Sequence, residues 1–205
     1  KLWGMAVYNW RALKETGYRW WIDRLAHNCR LFDQVRLDHF RAFAAFWEVA
    51  VDADSAKHGQ WIMGPGIDFF DRAKDELGNM PFVAEDLGDI DAAVYKVRDH
   101  YNLPGMAVLQ FAFGKDMTKS PHIPHQYSRT TVAYTGTHDN NTTLSWYNQD
   151  LSQSDKSRIS KYFGRSIDSS TINNVLIRSL YASVADIVIV PMQDILNLDG
   201  SCRMN

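Results

Sequence analysis

The sequence predicts an α/β fold built on parallel strands, and three observations carry that reading. Five short apolar runs, most of them β-branched, recur along the chain. Stretches of helical period lie between them, and three of the runs have an acidic residue at or shortly after their carboxyl end. Uninterrupted apolar runs suit strands covered on both faces, as in a parallel sheet. In parallel α/β folds the carboxyl ends of the strands are where chemistry collects.

The strands are expected at about 34–38, 81–85, 106–112, 130–136 and 186–191. Between them, residues 18–31 place Trp21, Leu25 and Cys29 on one stripe, as an amphipathic helix does. Pro65-Gly66-Ile67-Asp68 opens a helix through Leu77, and Gly78 stops it. Asp89 is the candidate cap of the next helix, which runs through Val94, Val97 and Tyr101 to Pro104. Residues 152–183 read as two helices broken near Gly164-Arg165-Ser166, within a helical insertion of about 148–183. By periodicity alone, five βα units are fewer than a closed eight-stranded barrel needs, so an open α/β sheet stays available.

Bulk properties narrow the function classes. A net charge of −2 gives no electrostatic footprint for nucleic acid or an anionic membrane. No apolar run approaches the roughly 20 residues that cross a bilayer, and the first residues do not read as a signal peptide. Cys29 and Cys202 make no disulfide framework, which fits a reducing compartment, cytosolic or plastid-type. Aromatics make up 13% of the chain and include seven tryptophans, a surplus that suits stacking on sugar rings as well as core packing. The chain opens on Lys1 and stops after Arg203-Met204-Asn205, and it reads as a piece of a longer polypeptide.

Three segments carry the chemistry. In Arg36-Leu37-Asp38-His39-Phe40-Arg41, Arg36 and Asp38 share one face of a strand, and the guanidinium would keep the carboxylate ionised, as a nucleophile requires. An ordinary surface ion pair is the plainer reading. Glu85 emerges from the apolar run Phe82-Val83-Ala84, where burial would raise its pKa toward that of a general acid. Asp86 next to it could instead cap a helix, with Glu85 facing solvent. Asp139 follows Gly136-Thr137-His138 and precedes Asn140 and Asn141, a polar turn with donors and acceptors for sugar hydroxyls, or a polar turn only. Metal binding by His138 with Asp139, or by His122 with His125, is set aside, because Pro121 and Pro124 oppose the helix that would align those two histidines. Three carboxyl groups at strand ends are suited to breaking and remaking a glycosidic bond.

These segments together resemble the amylomaltases, the 4-α-glucanotransferases of glycoside hydrolase family 77. The resemblance runs in order through Leu2 to Trp10, Arg36 to Arg41, Gly64-Pro65-Gly66 after Trp61, and Ala84 to Gly88. It continues through Leu103 to Met106, Thr135 to Asn140, Pro191 to Asp194 and Arg203 to Asn205. It implies a (β/α)₈ barrel of which the five strands are about the fourth to the eighth, so that the barrel is incomplete in these 205 residues, which form one partial catalytic domain. It implies Asp38 as nucleophile, Glu85 as acid/base and Asp139 as transition-state stabiliser, with Arg36, His138, Tyr8, Trp3, Trp61 and Asn140 as substrate-binding residues. It implies a retaining transfer of an α-1,4-glucan segment to the 4-hydroxyl of glucose or another α-glucan, without cofactor or metal. α-Glucan hydrolysis and glucan binding without catalysis are the alternatives. The implied partners are maltooligosaccharides, starch- or glycogen-derived α-glucans, glucose as acceptor, and the N-terminal half of the barrel. The implied location is cytoplasmic, or the plastid stroma for a plant or alga. The sequence departs from the family pattern at Met5-Ala6, Asn9, Ala42 and Asn141, none of them a catalytic carboxylate.

Overall fold

Each of the five apolar runs forms a strand, and all five pair in parallel, in a computed structural model that describes residues 4–204. Trp3 lies outside the described residues. The strands are shorter than the runs that signalled them. The chain divides into two compact units, Lys1–Gly105 and Met106–Asn205.

In the first unit, a short helix α1 (Trp10–Glu15) precedes α2 (Arg19–Leu31), whose stripe buries Ile22 and Leu25. Strand β1 (Val35–Leu37) follows, and then an antiparallel hairpin, β2 (Ala45–Val49) with β3 (Gly59–Met63), which the periodicity did not announce. Helix α3 (Gly66–Leu77) ends on Gly78 at φ 71°, a left-handed backbone that suits glycine. Strand β4 (Phe82–Ala84) pairs with β1, and α4 (Ala92–His100) closes the unit. Helix α4 is capped by Asp91, whose side chain accepts from Ala93 N and Val94 N, so neither Asp89 nor Asp86 is the cap. Phe40, Phe69, Phe70 and Phe82 are wholly or almost wholly buried in the core here, each contributing about 1.5–3 kcal/mol of burial.

The second unit is a three-stranded parallel sheet in the order β5 (Met106–Val108), β6 (Val132–Tyr134), β7 (Ile187–Ile189). Beyond Val108 the apolar run turns into a 3₁₀ segment, Leu109–Phe111, which carries Gln110 into the interior. After β6 comes one helical turn, α5 (Thr143–Ser145), continued by a π-helical turn Trp146–Asp150. The stretch expected to hold two helices does so: α6 (Gln153–Phe163), with a capping box at Ser152 and Asp155, and α7 (Ile172–Tyr181). Gly164 ends α6 in a left-handed conformation, at the break the sequence indicated. A last turn, α8 (Met192–Ile195), follows β7. No helix among the described residues is long and apolar enough to cross a membrane.

Candidate active site

Strands β1 and β4 run in register, with Val35 opposite Phe82, Arg36 opposite Val83 and Leu37 opposite Ala84. The next residue of each chain segment is acidic, Asp38 on one and Glu85 on the other. The ladder carries on for one more step, Glu85 N donating to Leu37 O at 3.1 Å and Phe40 N to Glu85 O at 3.0 Å. Two carboxyl groups are therefore delivered to adjacent strand ends by backbone pairing alone.

Arg36 Nη1 stands 2.7 Å from Asp38 Oδ1, the same-face pairing expected two residues apart on a strand. His39 then takes a left-handed backbone, φ 46° and ψ 51°, which is costly for a residue with a Cβ. That turn aims its N–H at Glu85 Oε2, 2.7 Å away. Leu87 N donates to the other oxygen, Oε1, at 3.1 Å. Burial pushes the Glu85 carboxyl above the usual glutamate range, and Asp38 adds to the rise. The two backbone donors and Arg36 pull against it without reversing it.

Asp86 is held by a different partner from those of Glu85. Its side chain is only 5% exposed and accepts from Arg98 Nη1 at 2.5 Å. A Cβ on Gly105 would fall 2.5 Å from Asp86 Oδ2 and 3.0 Å from Arg98 Nη1, so glycine is what lets the Leu103-Pro104-Gly105 turn lie against this pair. Arg41 ties the same region down from the other side, bonding the Asp89 carbonyl and Asp91 Oδ2.

Trp61 on β3 sits directly across from Trp47 on β2, their ring centroids 5.4 Å apart and edge to face. The Arg41 guanidinium lies 4.6 Å from the Trp61 ring centre, and both indoles are exposed. Tyr8 is exposed too, gathered with Trp10, Trp20 and Trp21 at centroid separations of 5.2–5.8 Å.

Asp139 belongs to the second unit, on the turn that follows β6. Asn140 Oδ1 accepts from Thr137 N and Thr137 Oγ1, both at 2.9 Å, so this side chain shapes the turn. His138 Nε2 is 3.5 Å from Asp139 Oδ2, and both side chains are largely exposed. His122 and His125 do not converge: His122 Nδ1 accepts from Val108 N, while His125 Nδ1 meets the Tyr162 hydroxyl. Sequence reasoning did not single out Arg98, and it met Asp194 only within the Pro191 to Asp194 segment, with no role, because its partners lie 51 and 59 positions away.

The described residues form an α/β framework with acidic groups at the carboxyl ends of two paired parallel strands. The chain belongs to the 4-alpha-glucanotransferase family, whose sequence profile matches residues 1–205. It is 40% identical over 205 residues to the 4-alpha-glucanotransferase of Streptococcus pneumoniae, covering all of this chain and 40% of that protein. It is 44% identical to the chloroplastic/amyloplastic 4-alpha-glucanotransferase of Solanum tuberosum, covering all of this chain and 35% of that protein. The backbone matches an amylomaltase from Streptococcus agalactiae in complex with acarbose, with a TM-score of 0.94 and 36% identity over all of this chain and 41% of that one. The chain thus spans about 40% of the length of the Streptococcus pneumoniae relative.

Proposed function

We propose that this chain carries the catalytic carboxyl groups of a retaining 4-α-glucanotransferase. The observation that supports it most is the pairing of β1 with β4, which sets Arg36-bound Asp38 beside a Glu85 with raised pKa. In the reading we propose, Glu85 protonates the glycosidic oxygen while Asp38 attacks the anomeric carbon. The sugar is then held covalently on Asp38 and the leaving chain departs with its new hydroxyl. Glu85, now ionised, takes the proton of an incoming 4-hydroxyl, and that oxygen displaces Asp38. Arg36 holds the nucleophile in place through their ion pair. Asp139 stabilises the positive charge that develops on the ring, with His138 contacting the same sugar. Tyr8, Trp3, Trp61 and Asn140 form the glucan-binding surface. Both units belong to one (β/α)₈ barrel domain, of which β1, β4, β5, β6 and β7 are strands four to eight and 148–183 is a helical insertion. The donors are maltooligosaccharides and longer α-glucans, and glucose or another glucan is the acceptor. The location is the cytoplasm, or a plastid in a plant or alga, as the names of the potato and Arabidopsis relatives support for those proteins.

The test is disproportionation of maltotriose by the full natural protein that carries this chain. Glucose and maltooligosaccharides longer than the substrate are the expected products, and added labelled glucose should enter the reducing end of the chains. Hydrolysis to shorter sugars, with no label transferred, would assign the site to a hydrolase instead.

A further inference from the structure

Asp194 is a buried acidic side chain that the mechanism above does not use. It lies in α8 and is 1% exposed. Its Oδ2 accepts from Thr135 Oγ1 at 2.6 Å and from Thr143 Oγ1 at 2.8 Å, and its Oδ1 accepts from Thr143 N at 2.7 Å. Thr135 comes four residues before Asp139 and Thr143 four residues after it. One carboxyl group therefore grips both ends of the loop that presents His138 and Asp139, while the loop's middle is exposed.

The remaining contacts brace the same loop. Gln110 Nε2 donates to Asn141 O at 3.0 Å, and it packs so close to Gly136 that a Cβ there would lie 2.7 Å from it. Arg203 Nη2 donates to the His138 carbonyl at 3.3 Å, and Asn173 Nδ2 holds the Asp194 backbone carbonyl at 2.8 Å. Three hydrogen bonds to one buried acidic side chain fix a loop far more firmly than a surface turn fixes itself. We propose that Asp194 is the positioning residue for Asp139, holding its loop rigid through Thr135 and Thr143 so that Asp139 meets the transition state without reorganising. This rests on the assignment of Asp139 as stabiliser.

A double-mutant cycle in the full natural protein tests it. The activated donor α-maltosyl fluoride keeps slow variants measurable. Asp194→Ala is expected to lower kcat by about tenfold to a hundredfold with a smaller change in KM, the signature of a misplaced stabiliser. In an Asp139→Asn background the same substitution should cost less than about threefold, because its target is already gone. Equal losses in both backgrounds, or an unchanged kcat in Asp194→Ala, would overturn the proposal. An Asp139→Asn enzyme with full activity would instead overturn the assignment on which it rests. Should Asp194→Ala fail to fold, the cycle is run with Thr135→Val, which removes one donor. Thr135→Ser, keeping the hydroxyl, should then restore the rate, and its failure to do so would count against the proposal.

Discussion

The backbone N–H of His39 donates to Glu85 Oε2 at 2.7 Å, so the residue after Asp38 binds the carboxyl group on the neighbouring strand. The left-handed turn at His39 is the local cost of that contact, and it links the two candidate catalytic segments within one unit.

The first prediction separates Glu85 from Asp86. Glu85→Gln should lower the rate on maltotriose by roughly a hundredfold to ten-thousandfold, the usual worth of a positioned proton donor. The loss should shrink for a glycosyl fluoride, whose leaving group needs no proton. Asp86→Asn should change the rate much less but cost about 1–3 kcal/mol of stability by weakening the bond between this buried side chain and the part-buried Arg98. Steady-state rates with the two donors and urea unfolding decide the ranking.

Gly105→Ala should destabilise by about 1–3 kcal/mol, because the added methyl can be housed only by shifting the Asp86 carboxyl group and the Arg98 guanidinium out of their ion pair. The urea midpoint should fall with little change in slope.

Glu85 also makes stability depend on pH. Burial raises its carboxyl above the ordinary value of 4.5, so the folded protein keeps a proton that the unfolded chain releases. Its contribution turns unfavourable as pH rises from the ordinary value through the raised one, and is constant above it. Glu85→Gln removes this dependence. The difference in unfolding free energy should therefore shift in the variant's favour across that window, read by urea unfolding at stepped pH. A constant difference would show that the carboxyl is not perturbed.

Trp61→Ala should raise KM for glucan acceptors about tenfold, near 1.4 kcal/mol, while Trp61→Phe keeps most of the affinity. The hairpin should also lose about 0.5–1.5 kcal/mol from the Trp47–Trp61 contact. Initial rates at varied acceptor concentration, beside the melting temperature of each variant, separate the two effects.

Much of the framework was legible in the sequence because local signals agreed. Val35-Arg36-Leu37, Phe82-Val83-Ala84 and Ile187-Val188-Ile189 are short apolar runs flanked by turn formers, and each is a strand. Gly78 and Gly164 stop helices where they were expected to. The β2–β3 hairpin was not legible, because Ala45 to Val49 lacks polar alternation and residues 50–58 separate it from its partner. The cap of α4 was misplaced by two residues, since Asp89 and Asp91 look alike until one bonds Ala93 N and the other lends its carbonyl to Arg41. Leu109-Gln110-Phe111 continued an apolar run yet left the strand, drawn inward by the bond from Gln110 to Asn141. The Asp194 network joins residues 51 and 59 positions apart, which no local pattern announces.

The central claim is that Asp38 forms the glycosyl-enzyme bond while Glu85 moves the proton. Incubating the Glu85→Gln variant of the full natural protein with maltotriosyl fluoride tests it directly. Fluoride leaves without an acid, whereas release of the sugar then lacks its base, so the intermediate should accumulate. Peptide mapping by mass spectrometry should find one maltotriosyl group on the peptide that contains Asp38. A label on another peptide, or turnover without any adduct and with inverted anomeric configuration, would contradict the account.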